Sequence, residues 1–220
     1  IQPIKVGFLG SAEAVATVAA FAADYAEAPV VTFLPDVSWW DEAEIETYLD
    51  AVRDLLLPQT AVLVGNNTTL RHWLLPESAT DRRARPVDLA RAAAAFGVPY
   101  LLVTGLALEG DRVGNVLASP DAELLRQSYE RIDAVFMGAG DILSAALAAM
   151  LATGSELPHA TAEALQYLDQ ALDHGFHPGM GRAVADRLFW AESDDEPTDQ
   201  NPTESKHPVH IPSPRNDIQH

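Results

Sequence analysis

The chain has 220 residues, 48% of them hydrophobic, and a formal net charge of −18. That is enough apolar material for one domain with a full core, and too much for a wholly disordered chain. So acidic a surface argues against general binding to nucleic acid or anionic membrane, which needs clustered Lys and Arg. The absence of cysteine removes disulfides, thiolate nucleophiles and Cys-ligated metals together, and fits a cytoplasmic protein. No apolar run reaches the roughly 18 residues that span a bilayer.

The elements follow in chain order. Ile4 to Gly10 reads as a strand ending in a turn, and Ser11 as the N-cap of an Ala-rich helix running to about Tyr25. Val30 to Leu34 is a short β-branched run, hence a buried strand. Asp41 caps a helix to about Leu56, with Ile45, Leu49, Val52 and Leu56 at helical spacing. Ala61 to Gly65 is a third strand, followed by a short helix around Leu70 to Leu74. Pro76 to Pro86 is polar and basic and reads as a loop. A helix from Val87 to Phe96 stops at the C-cap glycine Gly97.

Tyr100 to Gly105 is a fourth strand, and Arg112–Ala118 and Arg131–Met137 read as further strands, antiparallel to the rest. Two helices close the domain, about Asp141 to Ala152 and His159 to His174. Strands alternating with helices predict a mostly parallel sheet covered on both faces, a three-layer α/β/α domain over residues 1–190. Ligands bind such sheets beyond the carboxyl ends of the strands. From 191 to 220 the composition turns acidic and Pro-rich with few large apolar residues, which predicts a disordered tail. The chain opens on Ile1, almost directly in a buried strand, and the expectation is that the start of a longer protein is missing.

One segment carries chemistry. Phe136 ends a strand, Met137-Gly138-Ala139-Gly140 follows, and Asp141 opens an Ala-rich helix. The glycines admit close approach of a ligand to backbone amides, and the helix N-terminus favours anions. A phosphoryl group fits there, with Asp141 beside it to accept a proton from a substrate hydroxyl. Gly-rich turns also start helices without any chemistry, so the loop alone leaves both readings open.

The run Met137 to Ala149 resembles the signature of the ribokinase superfamily. Within it the chain is similar to the hydroxymethylpyrimidine and phosphomethylpyrimidine kinases of thiamine biosynthesis. Ile4 to Glu13, Ser144 to Ala152, Ala162 to Leu172 and the turn Gly179-Met180-Gly181 carry the likeness, over roughly residues 4 to 190. The resemblance implies a ribokinase-like fold, ATP and magnesium as cofactors, and phosphorylation of a hydroxymethyl group on a small heteroaromatic molecule. It implies Asp141 as base, an anion hole of the Gly138, Ala139 and Gly140 amides, and nucleotide contacts at Asn66, Thr104 and Gly105. It also implies a homodimer.

The chain departs from the family at several points. The pyrimidine kinases usually carry Cys where Asp141 stands, whereas Asp is the pattern of ribokinase and pyridoxal kinase. Pyridoxal is therefore the second candidate substrate. The second strand of the family ends in Asp-Pro; here Leu34 takes the acid's place and Asp36 lies two residues on, a candidate magnesium ligand. Thr69 replaces an acid three residues after Asn66, and Thr104 replaces a lysine. These losses define a further alternative, a family member that binds ligand without turnover.

Three other groups read as structural first. His174 and His177 stand three apart with no further ligand in view. Trp39 and Trp40 sit in the loop after the second strand, as cover for the core or as a stacking platform. Arg82, Arg83 and Arg85 form a basic cluster, a solvated loop or a lid over phosphate.

Overall fold

A computed structural model describes residues 2–75 and 84–191. The tail expected after residue 191, and Arg82 and Arg83, lie outside the described residues. The chain divides into a unit Ile1–Phe189, which holds all the elements below, and a unit Trp190–His220.

The main sheet has six strands in sequential order: β1 (Ile4–Val6), β2 (Val30–Leu34), β3 (Thr60–Asn66), β4 (Tyr100–Leu108), β5 (Arg112–Ala118) and β6 (Glu123–Glu130). β1 to β4 are parallel, and β5 and β6 run antiparallel. Each parallel strand joins its immediate neighbour, so right-handed crossovers put every connecting helix on one face. Those helices are α1 (Ala12–Asp24), α2 (Glu42–Ala51), α3 (Asn67–Leu74) and α4 (Pro86–Ala94). The opposite face is covered by α5 (Ala139–Ala152) and α6 (Leu157–Asp173).

Alternation along the strands builds the two cores. Val30 and Leu34 of β2, Leu63 of β3, Leu101 and Val103 of β4 pack under α1 to α4. Val31, Val62, Val64, Leu102 and Leu117 point the other way, against Leu143, Leu147 and Leu165. Strands buried on both faces read as unbroken apolar runs, which is why they stand out in the sequence.

Local signals hold at most ends. Ser11 Oγ accepts from Ala14 N at 3.1 Å, and Asp41 Oδ1 accepts from Ala43 N at 3.1 Å. The helix expected to reach Leu56 is α-helical only to Ala51 and continues as a π turn, Val52–Leu56, that still buries Val52 and Leu56. Gly97, at φ +89°, closes α4 with its N–H on the Ala94 carbonyl.

Two expectations need correction. The strand expected over 131–137 is only Phe136–Met137, here β7, paired in parallel with β8 (Ala183–Val184) in a separate small sheet. The sixth strand lies earlier, at Glu123–Glu130, where no β-branched residue marks it. Leu125 and Tyr129 pack on the second core, while charged residues line this edge strand, which discourages further pairing.

Candidate active site

The C-terminal ends of β1 and β2 lie against the N-terminus of α5. Gly138, at φ +76°, is the N-cap of α5 in the left-handed region, and a residue there other than glycine is strained. The first helical bond runs from Ile142 N to Gly138 O at 3.0 Å. The N–H groups of Gly138, Ala139, Gly140 and Asp141 precede it, and no side chain caps them. Those of Gly138, Ala139 and Gly140 are the amides that the family resemblance assigns to an anion hole. The buried Ser144 hydroxyl donates to the Gly140 carbonyl at 2.9 Å and so ties the loop to the next turn.

Gly140 is required for a steric reason. A Cβ there would lie 2.2 Å from the ring of Phe33, so the loop rests directly on the end of β2. Asp141 is half-exposed and forms an ion pair with Lys5 of β1. Gly7 makes room for this pair: a Cβ at that position would lie 2.8 Å from both Asp141 Oδ1 and Lys5 Nζ. Lys5 and Gly7 are functional candidates that sequence reasoning missed. An isolated glycine at the end of an apolar strand was the available signal, since it marks a close approach. The partner, 136 residues away, had no local signature.

The second group of expected residues lines the rim of β2, β3 and β4. A cleft of about 770 Å³ lies there, bounded by Asp36, Asn66, Thr69, His72, Trp73 and Phe136 among others. Asp36 Oδ1 accepts from Ser38 N at 2.9 Å, and this bond holds the carboxyl below its ordinary range, with the Ser38 side chain and His72 acting the same way against partial burial. Asn66 Oδ1 accepts from Thr68 N at 2.9 Å and caps α3. Asn66 stands opposite Thr104 in the β3–β4 register, and the Thr104 hydroxyl donates to the Gly65 carbonyl at 3.2 Å. Gly105, at φ +75°, breaks the β4–β5 register, and a Cβ there would lie 2.3 Å from Asn66 Nδ2. Asn66, Thr104 and Gly105 thus lie side by side.

Leu34 is buried in the first core, so the position where the family carries an acid is apolar here. Among the described residues no three His, Asp or Glu side chains converge as a metal site. His174 Nδ1 lies 2.9 Å from the Gln170 carbonyl and its ring stacks on Phe189, which accounts for it without a metal. Arg85 joins Asp88 at the start of α4. Trp40 packs with Phe8 and Tyr48, whereas Trp39 is 69% exposed, stacked on Trp40 and anchored by its Nε1 on the Asp36 carbonyl.

The family model described as phosphomethylpyrimidine kinase matches residues 1–186. A hydroxymethylpyrimidine/phosphomethylpyrimidine kinase of Streptomyces coelicolor is 35% identical over 199 residues, covering 87% of this chain and 70% of that one. An ADP complex of Bacillus subtilis pyridoxal kinase superposes with a TM-score of 0.74 at 21% identity, over 88% of this chain and 73% of the other. Staphylococcus aureus pyridoxal kinase with AMP-PCP and pyridoxal gives 0.70 at 18% identity, over 87% and 69%. At such identities these two structures speak for the fold. Among the described residues no helix is long and apolar enough to cross a membrane.

Proposed function

The chain belongs to the phosphomethylpyrimidine kinase family and has its ribokinase-like fold, and we propose that it transfers the γ-phosphoryl group of ATP to the hydroxymethyl group of hydroxymethylpyrimidine or its phosphate. One observation carries the reading. The first turn of α5 presents four uncapped amides at the carboxyl ends of the strands, with the Asp141 carboxylate on the same turn.

In that reading the acceptor oxygen forms a bond to the γ-phosphorus as the bond from phosphorus to the β,γ-bridging oxygen breaks and ADP leaves. The hydroxyl proton passes to the Asp141 carboxylate. The Gly138, Ala139 and Gly140 amides meet the charge on the phosphoryl oxygens, which is where preorganised donors lower the barrier most. Asn66, Thr104 and Gly105 would contact the nucleotide. Asp36, on the wall of this cleft, would be the one carboxylate to hold magnesium there, with substrate phosphates and water completing the shell. When bound, the ion would neutralise phosphate charge. A homodimer belongs to the same family-based reading, and sedimentation of the purified protein tests it.

Pyridoxal is the second candidate acceptor, favoured by Asp141 where the pyrimidine kinases carry Cys. Ligand binding without turnover is the third reading, favoured by Leu34, Thr69 and Thr104. Incubating the protein with ATP, magnesium and each alcohol in turn separates them. ADP formation dependent on hydroxymethylpyrimidine supports the proposal, and dependence on pyridoxal alone replaces its substrate. Calorimetric binding of a pyrimidine with no ADP from either alcohol leaves the non-catalytic reading.

A further inference from the structure

We infer that Lys5 is a positioning residue that draws the Asp141 carboxylate away from its own helix end, leaving the first-turn amides open for a phosphoryl group. The inference rests on the kinase reading above and starts from a comparison within the molecule. In α4 the N-cap is Arg85 and the third helical residue is Asp88, whose Oδ2 accepts from the N-cap amide of Arg85 at 3.0 Å. A short acidic side chain at the third position folds back in this way because the N-cap amide lacks any other partner.

Asp141 holds the same position in α5, third after the N-cap Gly138. Without another partner its carboxylate would turn to the open first-turn amides, although Gly138 is left-handed (φ 76°) where Arg85 is extended (φ −83°). It does not: its partner is the Lys5 ammonium. Lys5 reaches it because β1 alternates. Ile4 and Val6 enter the core under α1 to α4, so Lys5 emerges on the opposite face, beneath the start of α5. Gly7 leaves the space in which the two charged ends meet.

A partly exposed pair of this kind adds little to stability; the side chains are 26% and 52% exposed. Its consequence is geometric. A carboxylate bonded to its own helix end would block the amides that bind phosphoryl oxygens and would turn its basic oxygen away from the acceptor. Held by Lys5, the same carboxylate leaves the amides free and keeps an oxygen for the hydroxyl proton. Displacement of a catalytic group by about an ångström costs on the order of 100-fold in rate.

The test joins kinetics to amide exchange in the full chain. Lys5→Met is expected to lower kcat on the order of 100-fold while slowing hydrogen exchange at the Gly138 amide, as Asp141 swings over to cap it. Lys5→Arg restores part of the rate. In the Asp141→Asn background, Lys5→Met causes no further loss, because Lys5 acts through the carboxylate. Gly7→Ala is the second variant, since its backbone admits alanine and the new methyl displaces only the flexible ends of the pair. It shifts rate and exchange in the same directions. Unchanged kcat in Lys5→Met, or a rate loss with a lower Tm and unaltered Gly138 exchange, overturns the inference. The exchange measurement needs no turnover, so it decides the role of Lys5 even if ADP formation fails and the kinase reading falls.

Discussion

The N-termini of α3 and α5 both look toward the mouth of the sheet, and they are finished in opposite ways. At α3 the Asn66 side chain closes the helix on Thr68 N. The neighbouring polar groups are also committed: Asp36 on Ser38 N, Thr104 on the Gly65 carbonyl, the Gly105 amide on Asn115. At α5 a left-handed glycine replaces the capping side chain, the first-turn amides stay open, and the nearest carboxylate is held by a lysine from another strand. On the proposed reading, the difference separates the α5 terminus, where phosphoryl transfer is placed, from a rim at β2 to β4 whose polar groups are already bonded within the fold.

That contrast sets the order of expected effects. Asp141→Asn removes the proposed base and is expected to lower kcat by about 10²–10⁴-fold with ATP affinity retained, measured by coupled ADP assay and calorimetry. Gly140→Ala forces a methyl into the Phe33 ring; overpacking of this kind costs about 1–3 kcal/mol, read as a lower Tm together with lost turnover. Phe33→Leu in that background is expected to recover much of the Tm.

Changes at the rim are expected to be smaller. Asp36→Asn raises the KM for magnesium-ATP about tenfold, roughly 1.4 kcal/mol, with kcat largely kept. Because its folded carboxyl titrates below the ordinary value of 3.8, the stability supplied by ionised Asp36 is present above that pH and lost as pH falls through the lower folded value. The stability difference between wild type and Asp36→Asn is therefore expected to vanish in acid, which denaturant titrations at several pH values would follow. Asn66→Ala removes the α3 cap and costs about 1 kcal/mol of stability, with the smallest change in rate. A loss at Asn66 or Asp36 matching that of Asp141 would erase the distinction between the two ends.

Much of this was legible in the chain itself. The apolar runs of β2 to β4, the caps Ser11 and Asp41 and the glycine stop at Gly97 are local signals, and the structure bears them out. β6 was not legible, because Glu123 to Glu130 lacks β-branched residues and packs only one face. The stretch 131–135 was misread because Val135 is apolar, yet strand geometry begins only where Phe136 finds Ala183 as a partner. The candidate site was legible where it is contiguous, at Gly138 to Asp141. Lys5 and Gly7 were not, since the contact depends on β1 lying under α5.

The two helix ends are compared most directly by amide NMR during titration with AMP-PCP, magnesium and hydroxymethylpyrimidine. The amides of Gly138, Ala139 and Gly140 are predicted to shift most, while Thr68, bonded to Asn66, stays nearly still. Large shifts at Thr68 with an unmoved α5 terminus would contradict the account.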